Sequence, residues 1–117
     1  MNKLITLTIL MFLSLPVAAA ELRSDGNALL EYCTNDDDVD VTSIYTSGWC
    51  AGFITGVSRA HGALGGGAFC LPDELTTGQS SRVVVKYLED HPAELHKADT
   101  HLVLNAFLEA FPCTGEN

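Results

Sequence analysis

The sequence predicts an all-α domain, a small bundle of about four helices stapled by two disulfides. Three observations carry that reading. Apolar residues recur three and four apart in successive segments, capping residues and prolines punctuate those segments, and four cysteines sit in a short chain that opens with an export signal.

The export signal comes first. Lys3 precedes an apolar run from Leu4 to Val17, which ends in Ala18, Ala19 and Ala20, small residues that suit a signal peptidase. A membrane span needs roughly 20 apolar residues, and Ser14 and Pro16 interrupt this shorter run. Residues 1–20 are therefore expected to be cleaved as a Sec-type signal peptide. Residues 21–117 would form one exported domain with no further contact with the membrane. At roughly 100 residues its core is modest, and crosslinks are of most use to domains of this kind.

Ser24 and Asp25 precede a first short helix that places Leu29, Leu30 and Cys33 at helical spacing, with Ser24 as the capping residue. The segment from Thr34 to Val41 carries Asp36, Asp37, Asp38 and Asp40, whose mutual repulsion and turn preference make it an exposed loop. Ser43 can cap a second helix that ends near His61 and Gly62, with Ile44, Tyr45, Trp49, Phe53, Ile54 and Val57 on one broad side. Gly48, Gly52 and Gly56 recur every fourth residue, each costing up to ~1 kcal/mol of helix propensity. They are expected to line a stripe where another backbone comes close, and with the apolar helices they could support a homodimer. Gly65, Gly66 and Gly67 lack the lysine and preceding strand of a phosphate loop and read as a flexible connector.

Thr76 and Gln79 have the spacing of a capping box for a third helix through Val83, Val84, Val85 and Leu88. His91-Pro92 stops that helix and is expected to start the fourth, since proline is tolerated at a first helical position. The fourth helix carries Leu95, Ala98, Leu102, Val103, Ala106, Phe107, Leu108 and Phe111 as its apolar stripe, and Pro112 ends it. The third and fourth helices should form an antiparallel hairpin with Cys70 and Cys113 both at its open end, which pairs them. Cys33 and Cys50 then pair across the acidic loop, although four cysteines admit three connectivities.

Zinc sites usually draw ligands from close pairs such as C-x-x-C, and these cysteines are far apart. His91, His96 and His101 recur every five residues, about 140° around a helix, so they share no face. No metal or other cofactor is expected. Bridged cysteines leave no thiolate for nucleophilic catalysis, and no G-x-S-x-G elbow presents a serine. Catalytic residues are therefore not assigned. With Lys3 removed, the exported part carries a net charge of about −10 with neutral histidines. Such a surface disfavours nucleic acid as a partner and suits a basic protein partner or plain solubility.

Several phrases then stand together: Leu29-Leu30 with Tyr32-Cys33, Trp49-Cys50-Ala51-Gly52-Phe53-Ile54, Phe69-Cys70-Leu71-Pro72, Lys86-Tyr87-Leu88 with His91-Pro92 and Leu95-His96, and Phe111-Pro112-Cys113. In combination they resemble the Rap/Tai family over nearly all of residues 21–117. The resemblance implies a small helical periplasmic immunity protein that fills the cleft of a peptidoglycan amidase delivered by type VI secretion. It also implies a possible homodimer. The matching positions are mostly cysteines, glycines and core residues, so the toxin-binding face must be read from exposure. Asp36, Asp37, Asp38 and Asp40 in the loop, and Glu89, Asp90 and His91 at the hairpin turn, are the candidates. The alternative reading is an HdeA-like acid-stress or chaperone-like periplasmic protein. Four histidines that charge near pH 6.5, with fifteen acids that protonate lower, would serve that role.

Overall fold

Nine residues are too few for a helix to persist alone in water, and the first helix, α1 (Gly26–Thr34), is held by neighbours at both ends. In the computed structural model, which describes residues 24–34 and 40–114, the start of α1 is sewn to a distant segment by main-chain hydrogen bonds. Gly26 donates to the Lys97 carbonyl at 3.1 Å, Asn27 to Leu95 at 3.2 Å, and Asp99 to Ser24 at 3.2 Å. These bonds surround an isolated antiparallel bridge between Asp25 and Ala98. Asp25, rather than the expected Ser24, caps the helix, its Oδ1 accepting from the Ala28 N–H at 2.9 Å. The far end of α1 is tied by the Cys33–Cys50 disulfide.

The second helix, α2 (Val41–Ala63), begins earlier than expected because Asp40, not Ser43, is its N-cap. Asp40 Oδ1 accepts from the Ser43 N–H at 2.8 Å, and the Asp40 N–H donates to Ser43 Oγ at 3.1 Å. That reciprocal capping box uses serine where Glu or Gln is usual. Thr46, Cys50 and Ile54 form the buried row of α2, flanked by half-buried Trp49, Phe53 and Val57. Ile44 and Tyr45, expected on the same side, are exposed. They lie off the 46–50–54 row, in the turns ahead of the Cys50 crosslink.

A Cβ built on Gly48, Gly52 or Gly56 would meet nothing within 4 Å, so among the described residues no backbone of the fold lies against the expected stripe. Close approach occurs instead at Gly26, where a Cβ would collide with Leu102 Cδ1 and lie 3.0 Å from the Leu95 backbone. After α2 the chain turns through Gly65, Gly66 and Gly67 at φ of 107°, 55° and 95°, a region that residues with a Cβ rarely adopt. The Gly66 N–H donates to the His61 carbonyl at 3.0 Å within this turn.

The third helix, α3 (Thr77–Asp90), is capped by Thr76, whose Oγ1 accepts from the Gln79 N–H at 3.2 Å, the first half of the expected box. Its valine run is helical, and Val84, Tyr87 and Leu88 are its buried residues. Pro92 does not start the final helix. It opens a 3-10 turn, Pro92–Glu94, and the fourth helix, α4 (Asp99–Ala110), begins only at Asp99. The Leu95 and Lys97 carbonyls are needed by α1, and Ala98 is extended at ψ 133°, so tertiary hydrogen bonds hold this stretch out of the helix. Leu102, Val103, Ala106 and Phe107 of α4 are buried, whereas Ala98 and Leu108, expected in the same stripe, are exposed.

The fold class is as the sequence predicts, a four-helix bundle with no strand among the described residues. Both disulfides pair as expected, Cys33 with Cys50 and Cys70 with Cys113. Every helix supplies at least one fully buried side chain to one core: Leu29, Ile54, Val84, Leu88, Leu102, Val103 and Phe107. Of the described residues, no helix is long and apolar enough to cross a membrane. The expected signal peptide, residues 1–20, lies outside the described residues, as do Asp36, Asp37 and Asp38.

The two kinds of glycine predict opposite responses. Gly26→Ala should lower stability by ~1–3 kcal/mol through overpacking, while Gly52→Ala should raise it by up to ~1 kcal/mol through helix propensity. Urea unfolding with both bridges intact measures each.

Candidate functional surfaces

Of the residues singled out from sequence, Asp40 proves to have a structural task, since it holds the first turn of α2 through its cap. Glu89, Asp90 and His91 do sit together at the corner between α3 and the 3-10 turn, with both carboxylates exposed. Asp90 accepts from Lys86 Nζ at 2.7 Å, one helical turn back. His91 is only half-exposed: its Nδ1 lies 2.8 Å from the Tyr87 carbonyl and its ring stacks on Tyr87 at 4.1 Å. Its Nε2 is 3.9 Å from Glu109 of α4, so the imidazole also spans the hairpin.

The same corner contains a relay that the sequence did not reveal. The Tyr87 hydroxyl donates to Glu94 Oε2 at 3.2 Å, and Glu94 in turn pairs with Lys97 at 3.1 Å. Its partners lie on α3, the 3-10 turn and the segment before α4. Burial, and then the hydrogen bond to Glu94, push the Tyr87 hydroxyl above the usual tyrosine range. The hydrogen bond from Lys97 is the main reason that Glu94 is held below the usual carboxylate range. The hydrogen bond to Asp90 likewise raises Lys86. A shallow cleft of about 190 Å³ beside this corner is lined by Val83, Lys86, Tyr87, Asp90, Ala106, Glu109 and Ala110.

A larger cleft of about 480 Å³ lies against the Cys33–Cys50 bridge. Thr34, Ser47 and Ala51 form one wall, and Thr77, Gly78, Ser81, Arg82 and Val85 of α3 form the other. It arises where α1 and α2 meet the start of α3, a junction without a sequence motif. A third, mostly apolar groove of about 340 Å³ runs between the end of α2 and α4, lined by Val57, Ala60, His61, Leu64, Gly66, Thr100 and Leu104.

Among the described residues, no hydroxyl or thiol is hydrogen-bonded to an imidazole. All four cysteines are consumed by the two bridges. His61 is stacked on the buried Phe69 ring at 4.0 Å. Among the described residues, no three His, Cys, Asp or Glu side chains gather as a metal site. What the geometry offers is a stapled body with clefts and an acidic corner.

A sequence profile of the Rap1a immunity proteins matches residues 25–113, a span that takes in all four helices and all four cysteines. The chain belongs to the Rap1a immunity protein family. No curated protein and no solved structure matches it. Membership in an immunity family, which is generally non-enzymatic, implies a toxin protein as the partner of this Rap1a domain. The matched span also includes the acidic corner and every cleft described above.

For Glu94 the sign of the pH effect follows from its partners. A carboxylate held below its usual range favours the folded Rap1a domain above the unfolded-state pKa and loses that contribution as pH falls through the folded value. Carbon-detected NMR titration should find the Glu94 midpoint below the usual carboxylate range, and Lys97→Met should move it upward.

Proposed function

We propose that this chain is a periplasmic immunity protein that binds a peptidoglycan amidase delivered by type VI secretion and occludes its catalytic cleft. The observation that carries the reading is the family match over residues 25–113, nearly the whole of the described bundle. Two bridges that use every cysteine fit an oxidising compartment. The alanine-rich end of the apolar leader supports cleavage and export to that compartment.

Occlusion requires a rigid body that keeps its shape while it enters a cleft, because ordering a loose segment on binding would subtract from affinity. Crosslinks at Cys33–Cys50 and Cys70–Cys113 supply that rigidity. The surfaces proposed to meet the toxin are the acidic segment with Asp36, Asp37, Asp38 and Asp40, and the corner with Glu89, Asp90 and His91. With a formal net charge of −9 over the whole chain, these surfaces would steer a basic rim on the partner and speed encounter.

Calorimetry with a type VI-delivered peptidoglycan amidase, together with a peptidoglycan hydrolysis assay, tests the proposal. The expected outcome is a tight complex that abolishes hydrolysis at one immunity protomer per toxin site. Reversing Glu89 and Asp90 to lysine should slow association about tenfold or more at low salt, with a smaller effect at high salt. An amidase that keeps full activity under an excess of this protein would sink the reading.

A further inference from the structure

We infer that the cleft beside the Cys33–Cys50 bridge is a binding site for the carboxylate end of a short peptide, with Arg82 as the group that receives the carboxylate. The cleft measures about 480 Å³, within the range of small-ligand sites. Of the four Lys and Arg side chains among the described residues, Lys86 and Lys97 already have carboxylate partners. Arg59 lines none of the clefts described above. Arg82 lines this one, and it has neither ion pair nor hydrogen bond among the described residues. Its Nη1 lies 4.0 Å from the place a Cβ on Gly78 would take, so the guanidinium folds back toward the start of α3. The chain carries fifteen Asp and Glu, yet no described acidic residue lines this cleft. The cleft at the α3–α4 corner is the contrast, since Lys86 stands there with Asp90 and Glu109.

The other groups on the walls decide which kind of anion fits. Thr34 Oγ1 donates to the Leu30 carbonyl at 2.8 Å, Ser47 Oγ to Ile44 at 3.2 Å and Ser81 Oγ to Thr77 at 3.1 Å. A hydroxyl has a single hydrogen to donate, so these three keep only acceptor lone pairs. The Thr77 hydroxyl has no partner among the described residues and adds one donor. A phosphate or sulfate needs donors on every side and would meet mostly lone pairs here. A peptide end suits the set. Its carboxylate takes a bidentate pair from Arg82, and its N–H groups donate to the hydroxyl oxygens. The remaining walls are Ala51, Gly78, Val85 and the disulfide, a surface that admits small apolar side chains of the alanine kind. The bridge also fixes the α1 wall to the α2 wall, so the cleft is formed before a ligand arrives and little ordering cost is added on binding.

Nuclear magnetic resonance titration of the oxidised, exported protein with N-acetyl-Ala-Ala tests the site. No toxin enters the measurement, so its outcome is independent of the immunity reading. Saturable shifts centred on Ser47, Ala51, Gly78 and Arg82 are expected. The C-terminal amide of the same peptide should bind at least about tenfold more weakly, the size of one lost charged hydrogen bond. Arg82→Gln should weaken the acid by a similar factor and erase the difference between acid and amide. Its circular dichroism and melting temperature should hold, because Arg82 is exposed. Ala51→Leu, which narrows the cleft from the α2 side, should weaken binding while Arg82 stays in place. Comparing the D,D with the L,L peptide identifies the source: preference for D,D assigns the site to the stem peptides of the cell wall, and preference for L,L to the C-terminus of a protein. Shifts that fail to saturate in the millimolar range, an amide that binds as well as the acid, or an Arg82→Gln protein that binds normally would each overturn the inference. Inorganic phosphate that displaces the peptide at equal concentration would overturn the assignment to a peptide.

Discussion

The double anchoring of α1 is the constraint on which the rest of the bundle depends. Three backbone hydrogen bonds, two of which make the Asp25–Ala98 bridge, fix its start to the segment between the 3-10 turn and α4, and a disulfide fixes its end to α2. Leu29 is thereby carried into the core beside Leu102, and the earliest part of the domain is locked to the latest. The clamp also decides where α4 can begin. Residues Leu95 to Ala98 would otherwise be free to extend the helix backwards, but their carbonyls and extended backbone serve α1 instead. Gly26 is the residue that permits it, since any side chain there would press on both Leu95 and Leu102.

The disulfides complete what a small core leaves undone. In the chain-entropy view, closing the 17-residue separation between Cys33 and Cys50 contributes ~3 kcal/mol and the 43-residue separation between Cys70 and Cys113 ~4 kcal/mol. Those amounts are comparable to the net stability of many domains of this size. They act on different partners: one bridge ties α1 to α2, and the other closes the α3–α4 hairpin, where the Cys70 N–H also donates to the Phe111 carbonyl at 2.9 Å. The two halves then meet through Ile54, Phe69 and Phe107, with the Phe69 ring 5.3 Å from Phe107.

Local rules made most of this legible. The apolar spacing announced the helices, Thr76 marked the start of α3, and the hairpin logic paired the cysteines. The misses have two physical causes: tertiary partners outside the local window moved the start of α4, while the caps at Asp25 and Asp40 were local choices between neighbouring capping residues. Pro92 is compatible with a helix start, yet the hydrogen-bonding needs of Gly26 and Asn27 moved that start to Asp99. Asp40 outcompeted Ser43 as a cap, although the pair was adjacent to the predicted boundary and Asp40 was already marked for another purpose. The functional candidates were legible only as exposure. Glu89 and Asp90 were correctly placed at a corner, but the imidazole of His91, stacked on Tyr87, is partly a structural brace. The relay from Tyr87 through Glu94 to Lys97 needs three segments brought together, which no spacing rule encodes.

The glycine stripe shows how a correct physical argument can point to the wrong partner. Three glycines on one line of a helix cost stability and call for a compensating close contact. Among the described residues that contact is absent, so nothing there offsets the cost. The apolar residues around the stripe carry a parallel cost in solvent exposure. The core does not depend on the stripe, because Thr46, Cys50 and Ile54 occupy another face of the helix. The acidic corner formed by Glu89 and Asp90 lies on other elements, α3 and the turn that follows it.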